Sequence, residues 1–170
     1  MARWILGLSL GAMLIGVAPV AAQAQSDRGR GLIEGGGGYA SFVDDSPIPH
    51  AVVQGTARMF LGSRVAIGPE VTYMRGPDED RDWFVTGNIT ADVFRRSGAF
   101  RRVQPYVVAG AGVGRSTARV GTGLYSSSEG TFTVGGGARV GAANGWFVAP
   151  ELRLGWELHW RIGAVLGRKF

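Results

Sequence analysis

From residue 30 onward the chain alternates between apolar and small or charged positions. In residues 146–156, WFVAPELRLGW, one set of positions is Trp146, Val148, Pro150, Leu152, Leu154 and Trp156; the other is Phe147, Ala149, Glu151, Arg153 and Gly155. In 159–170, HWRIGAVLGRKF, Trp160, Ile162, Ala164, Leu166 and Phe170 oppose His159, Arg161, Gly163, Val165, Gly167 and Lys169. Residues 65–74 and 130–141 repeat the scheme, with Glu70 and Arg139 on their non-apolar faces. A period of two is the signature of β-strands, whose successive side chains point to opposite faces. No stretch of the region shows helical periodicity. Eight such segments are predicted, at 30–43, 50–61, 64–74, 83–94, 103–115, 130–141, 146–155 and 159–170.

The connectors alternate in character. GSR (62–64), RRSGAFRR (95–102) and AANG (142–145) join one set of strand ends. DDSPIPH (44–50), RGPDEDRD (75–82) and STARVGTGLYSSSE (116–129) join the other, with a short link near Trp156, Glu157 and Leu158. In an antiparallel meander alternate connectors fall at opposite ends, so tight turns collect mostly at one end and acidic, Pro- and Ser-rich loops at the other.

The non-apolar face decides the class. It carries single, spaced charges: Glu34, Arg58, Glu70, Asp92, Arg139, Glu151, Arg153 and Arg161. An eight-stranded barrel has an interior just wide enough for side chains, and Arg–carboxylate pairs beside glycines fill it. The apolar face then meets lipid. Strands of about 9–11 residues at a tilt of about 45° cross a bilayer, and closure leaves no unpaired edge in the hydrocarbon. Aromatics fall near strand ends, with Tyr73, Trp83, Trp156 and Trp160 toward the loops and Trp146 and Phe170 toward the turns. They are expected to form two interfacial girdles about 25 Å apart. The expected fold is therefore all-β, an eight-stranded antiparallel up-and-down transmembrane barrel with the eight charges as an interior network.

Composition sharpens this picture. Of 170 residues, 29 are Gly, more than twice the usual share. None is Cys, which excludes disulfides and thiolate metal sites. Seventeen of the 18 basic residues are Arg, the type suited to fixed carboxylate pairs. The net charge of +5 is interleaved rather than massed, which argues against nucleic acid as a partner. The N-terminus, MARWILGLSLGAMLIGVAPVAAQAQS, has Arg3, an apolar stretch from Trp4 to about Val17, and Ala22-Gln23-Ala24. Those are the three parts of a secretory signal peptide. Residues 1–24 are expected to be removed after Ala24, leaving 25–170 as the barrel domain.

On these residues the chain resembles the small eight-stranded outer-membrane β-barrels of Gram-negative bacteria, of the OmpA-barrel, OmpX and opacity-protein type. The carrying features are the signal peptide 1–24, the eight alternating segments and the closing WRIGAVLGRKF with terminal Phe170. The resemblance implies a location in the bacterial outer membrane. It also implies partners in outer-membrane lipid, lipopolysaccharide and the barrel-assembly machinery, which would read Phe170 as an assembly signal. Arg168 stands where the family usually has an apolar or aromatic residue.

Candidate chemistry is sparse. His50 and His159 fall near the loop rim; Ser126, Ser127 and Ser128 lie in a predicted rim loop, with Glu129 or Glu157 to orient an imidazole. A hydrolase needs these in mutual geometry, and no local spacing signals it, so they read as solvated rim residues. Asp44, Asp45, Asp78, Glu79, Asp80 and Asp82 offer oxygen ligands of the kind Ca²⁺ or Mg²⁺ prefers, but the sequence reads more simply as solvated acidic loops. Arg95, Arg96, Arg101 and Arg102 cluster at the turn end, where they would hold the interface. No catalytic residue, cofactor or metal is assigned. The expected role is non-catalytic, structural or surface-interacting through extracellular loops to a ligand the sequence does not name. A narrow pore, a lipid A-modifying enzyme and a soluble ligand-binding barrel are the alternatives.

Overall fold

A computed structural model describes residues 30–43, 47–78, 80–94 and 102–170, the side chains of Val120 and Glu157 excepted. The signal peptide 1–24, Asp44, Asp45, Glu79, Arg95, Arg96 and Arg101 lie outside the described residues. Eight antiparallel strands close into a barrel in sequence order. They are β1 (Gly31–Phe42), β2 (Ile48–Phe60), β3 (Val65–Arg75), β4 (Arg81–Asp92), β5 (Val103–Val120), β6 (Gly123–Gly141), β7 (Trp146–Gly155) and β8 (His159–Lys169). Closure runs between β1 and β8, from Leu32↔Lys169 to Phe42↔His159. Gly36 and Gly38 permit this approach, since an added Cβ would lie 2.2 Å from the carbonyl oxygens of Ala164 and Ile162. Just past the end of β8, Phe170 and Gly31 exchange two backbone hydrogen bonds, at 3.0 and 2.9 Å.

Period two puts the apolar series outside. Ile67, Val71, Val85, Ile89, Val134, Leu152, Leu154, Ile162 and Leu166 are all exposed. In water this would be a large apolar patch; around a closed barrel it is a lipid-facing band. Pro69 on β3 and Pro150 on β7 each interrupt one ladder. Pairing of β2 with β3 skips from Thr56↔Glu70 to Met59↔Ile67, beside Pro69. Pairing of β6 with β7 skips from Gly137↔Glu151 to Val140↔Val148, beside Pro150. Proline has no N–H to donate, and at the first gap Thr56 Oγ1 donates to the Pro69 carbonyl at 2.9 Å. The register resumes without a bulge, so Glu70 and Glu151 keep facing inward.

The loop end differs from expectation. Residues 116–129, expected as a loop, are strand: β5 and β6 pair without interruption from Val103↔Val140 to Val120↔Gly123. Only Gly121 and Thr122 turn the chain, with Gly121 at φ 62°. Gly and Ser suggested a loop, but interspersed Val, Thr and Tyr support strand pairing, and a two-residue turn needs only one or two positive-φ positions. The hairpin also outreaches its neighbours. The β4–β5 ladder ends at Arg81↔Thr117 and the β6–β7 ladder at Thr133↔Gly155, which leaves residues 123–132 as an edge on the β7 side. The acidic connector RGPDEDRD is shorter than expected, only residues 76–80, because β3 continues through Arg75 and β4 starts at Arg81.

Candidate functional site: the charged lumen and its outer mouth

The barrel interior gathers the eight charged residues that period two turns inward. All are buried: Glu34, Arg58, Glu70, Asp92, Arg139, Glu151, Arg153 and Arg161. Seven strands contribute, and the groups join in one continuous chain of contacts. Arg139 Nη1 donates to Asp92 Oδ1 at 2.7 Å and its Nε to Glu34 Oε1 at 3.4 Å. Arg58 donates to the other oxygen of Glu34 and, at 3.3 Å, to Glu70 Oε2. Glu70 is the hub. It also accepts from Arg153 Nη1 at 2.9 Å, from Arg161 Nη2 at 2.6 Å and from Thr72 Oγ1 at 3.2 Å. Arg153 Nε then donates to Glu151 Oε2 at 2.9 Å. Its Nη2 sits 2.8 Å from Glu70 and 2.9 Å from Glu151, in ion-pair contact without hydrogen-bond alignment.

Neutral groups complete the network. Tyr106 donates its hydroxyl to Glu151 Oε1, and its ring lies 4.0 Å below the Arg139 guanidinium. Gln54 reaches Glu151 at 3.4 Å, and Thr72 accepts from Arg161 Nη1 at 2.9 Å. Sequence reading did not single out Tyr106, Gln54 or Thr72. The signal was present: Gln104, Tyr106 and Val108 are buried on β5 at alternating positions, with Val103 and Val107 outside. Four guanidiniums face four carboxylates, so the set is electrically neutral. Paired, hydrogen-bonded charge is the form in which buried charge is tolerated. Beside the network, Gly37, Gln54, Glu151, Arg153 and Arg161 line a void of about 10 Å³, room for about one water. Toward the turn end the lumen opens into a cleft of about 530 Å³ lined by Arg102, Gln104, Arg139, Phe147 and Lys169.

The six aromatic candidates lie near the two rims of the outer wall. Toward the loops, Tyr73 packs on Trp83 at 4.7 Å between ring centroids, Trp160 on Tyr39 at 5.5 Å and Trp156 on Phe132 at 5.4 Å. Toward the turns, Trp146 has the Arg168 guanidinium 5.8 Å over its ring, and Phe170 is 62% exposed. Arg168 thus contacts an aromatic at the interface.

At the outer mouth the expected solvated residues are partly buried. His50 and His159 are 1% and 3% exposed, and Asp82 is 3% exposed. Parity explains the correction. His50 shares the inward face of β2 with Arg58, Asp82 that of β4 with Asp92, and His159 that of β8 with Arg161. Starting β4 at residue 83 hid Asp82 from this rule. The His50 ring meets Phe42, which meets His159, which meets Phe84, at centroid distances of 4.9, 5.0 and 5.9 Å. His159 Nδ1 donates to the Trp156 carbonyl at 2.7 Å. The serines weighed as a nucleophile are not brought to either ring. Ser126, Ser127 and Ser128 are exposed on the projecting hairpin, where Ser126 faces Arg115.

Comparison with known proteins agrees with the geometry. The barrel superposes on neisserial surface protein A with a TM-score of 0.72 and 11% identity, over 85% of this chain and 99% of that one. For the N-terminal β-barrel domain of Pseudomonas aeruginosa OprF the values are 0.65 and 15%, over 85% and 100%. For Ail, the attachment invasion locus protein of Yersinia pestis, they are 0.57 and 14%, over 83% and 99%. Identities this low speak to fold alone. Among curated proteins none matches the sequence. The family description "outer membrane protein beta-barrel domain" matches residues 10–161. A closed barrel with an apolar wall, a charged core and that family match has one setting, the bacterial outer membrane, and the chain belongs to the outer membrane protein β-barrel domain family.

Proposed function

We propose that this chain is a non-catalytic outer-membrane barrel whose lumen is plugged by its own side chains and whose role is exercised at the outer surface. The observation that carries the reading is the continuous network from Asp92 through Glu34, Arg58, Glu70 and Arg153 to Glu151. An ion entering the lumen would have to break buried pairs. Removing one partner of such a pair costs about 3–5 kcal/mol, a barrier that an open pore does not present. The catalytic alternative lacks support in the geometry, because Ser126, Ser127 and Ser128 lie on the exposed hairpin while the histidines are buried in the mouth.

The outer surface offers what the lumen does not. Residues 123–132 of β6 present backbone beyond the end of β7, with Leu124 and Tyr125 exposed. An unpaired strand edge is a template for another chain or for an extended ligand. Nearby, Arg75 and Arg81 face each other across β3 and β4, and Arg115 lies beside Trp83, all exposed on the outer wall. Guanidiniums at that height suit phosphate groups of lipopolysaccharide, which they bind bidentately. The closing strand with Phe170 suits recognition by the barrel-assembly machinery. The decisive test is functional. Purified protein in planar bilayers is expected to show no stable channels, and incubation with lipid A no release of acyl chains. Steady nanosiemens channels would restore the pore, and acyl release the enzyme.

A further inference from the structure

One cluster is left over by this reading. At the outer mouth His50 lies under the tight loop that joins β3 to β4. Gly76 N–H donates to the Asp80 carbonyl at 3.0 Å and Asp80 N–H to the Pro77 carbonyl at 2.8 Å, with Asp78 at φ 49°. This fold of the loop carries Asp80 back over the lumen, next to Asp82 on β4. His50 Nε2 then lies 2.9 Å from Asp80 Oδ2 and 3.4 Å from Asp82 Oδ2. One ligand atom from each of the three residues lies within 4.8 Å of the others.

We propose that His50, Asp80 and Asp82 form a binding site for a first-row divalent transition-metal ion, with Zn²⁺ as its reference occupant.

The ring's other nitrogen is the first argument. His50 Nδ1 is 3.1 Å from the Ile48 carbonyl oxygen. A carbonyl only accepts, so Nδ1 carries the proton of that bond. The other ring nitrogen, Nε2, points at two carboxylates. Two anions converging on one ring nitrogen call for a cation among them, a proton or a metal ion. A histidine held by an Nδ1–H to a backbone carbonyl, with Nε2 free to coordinate, is the usual arrangement of a metal ligand.

Charge balance is the second argument. A proton on Nε2 supplies one positive charge to two carboxylates, and Asp82 is 97% buried by its 3% exposure. A divalent ion bound by neutral imidazole matches both. In the mid-lumen network, by contrast, carboxylates and guanidiniums are equal in number.

Size is the third. Around a metal with ligand bonds of about 2.1 Å, adjacent donor atoms lie about 3.0 Å apart in an octahedron and about 3.4 Å apart in a tetrahedron. The two separations from Nε2, 2.9 and 3.4 Å, fall in this range, and all three ligand atoms lie within 4.8 Å of one another. Space is kept by Gly76, whose added Cβ would stand 2.6 Å from Nε2. The donor set selects the ion. Imidazole with two carboxylates suits Zn²⁺, Fe²⁺, Ni²⁺ or Cu²⁺, whereas Ca²⁺ and Mg²⁺ prefer oxygen alone. Three protein ligands leave a further position to water, on the side where Asp80 is 22% exposed. Occupied, the site would tie β2 to the β3–β4 loop and to β4 at the mouth of the barrel.

The test uses untagged protein purified from outer membranes in detergent, stripped with a chelator and then dialysed free of it. Zn²⁺ is titrated calorimetrically and Co²⁺ by visible absorption, with Ca²⁺ and Mg²⁺ as competitors. One equivalent of Zn²⁺ is expected to bind, with affinity lowered at least tenfold in His50→Gln, Asp80→Asn and Gly76→Ala. Faster migration of unheated than boiled protein on a denaturing gel verifies that each variant is folded. If His50→Gln fails to fold, Asp80→Asn decides the matter, because Asp80 sits on the loop and part-exposed. The proposal fails if the wild type binds no stoichiometric Zn²⁺, or binds it equally well in the variants. It also fails if equimolar Ca²⁺ or Mg²⁺ displaces Zn²⁺.

Discussion

The middle of the lumen and its outer mouth are built from the same device, inward-facing titratable side chains on neighbouring strands, yet they differ in balance. In the middle, Glu70 accepts from three arginines and each arginine reaches a carboxylate. At the mouth, two carboxylates converge on a single imidazole. Balanced charge is what the proposed plug requires: each guanidinium and each carboxylate has a partner of opposite sign. Unbalanced charge makes a site, since a cation from outside lowers the energy of the cluster. The strands set both, but only the mouth includes a loop, which brings in a ligand that period two alone would not supply.

Four changes test this contrast. The largest effect is expected for Glu70→Ala, which strands Arg58, Arg153 and Arg161 without their shared acceptor. A loss of about 3–5 kcal/mol is expected, read as the midpoint shift in urea unfolding of the barrel in detergent. A shift no larger than that of a surface substitution would mean the hub is not a hub. Glu151→Ala should cost about 2–4 kcal/mol, less than Glu70→Ala because Arg153 keeps its bonds to Glu70. Reversal of that order in the same unfolding series would place the centre of the network on β7 instead.

The third change lies outside both regions. Removing Phe170 takes away its two backbone hydrogen bonds with Gly31, worth about 1–2 kcal/mol together, and the interfacial ring. Assembled protein in the outer membrane should fall further than for Lys169→Ala, and equal yields of the two would refute the assembly role of the terminal aromatic. The smallest effect is expected at the mouth. In protein stripped of metal, Asp82→Asn should alter stability by less than about 1 kcal/mol, because His50 retains Asp80 and a like charge is removed. A loss as large as that at Glu151 would show the mouth to be a structural ion pair like those of the middle.

Much of the candidate site was legible before the fold was seen. The eight lumen charges follow from parity once each strand's apolar series is assigned to lipid; the same rule covers His50 on β2 and, extended by one residue, reaches Asp82 on β4. What hid Asp82 was a boundary, since an acidic, Pro- and Gly-containing run reads as loop whether or not its last residues pair. Residues 116–129 erred the same way: Gly and Ser are turn formers, and their run masked a continuous ladder that only the partner strand can supply.

By itself, then, the sequence determined the strand number, the face each residue takes and the setting of the barrel. Those depend on local alternation and on the chemistry of an apolar wall, both of which are written in consecutive residues. The tertiary structure alone decided who meets whom across the lumen. Glu34 and Arg139 are far apart in the chain, as are Glu70 and Arg161, and become neighbours only through closure and the shared height of their strands. Height depends on register and tilt, which are properties of the whole closed sheet. The convergence of Asp80 on His50 required one thing more, a loop whose backbone folds back through a residue at positive φ. No periodicity encodes that fold, because a loop has no repeat to read.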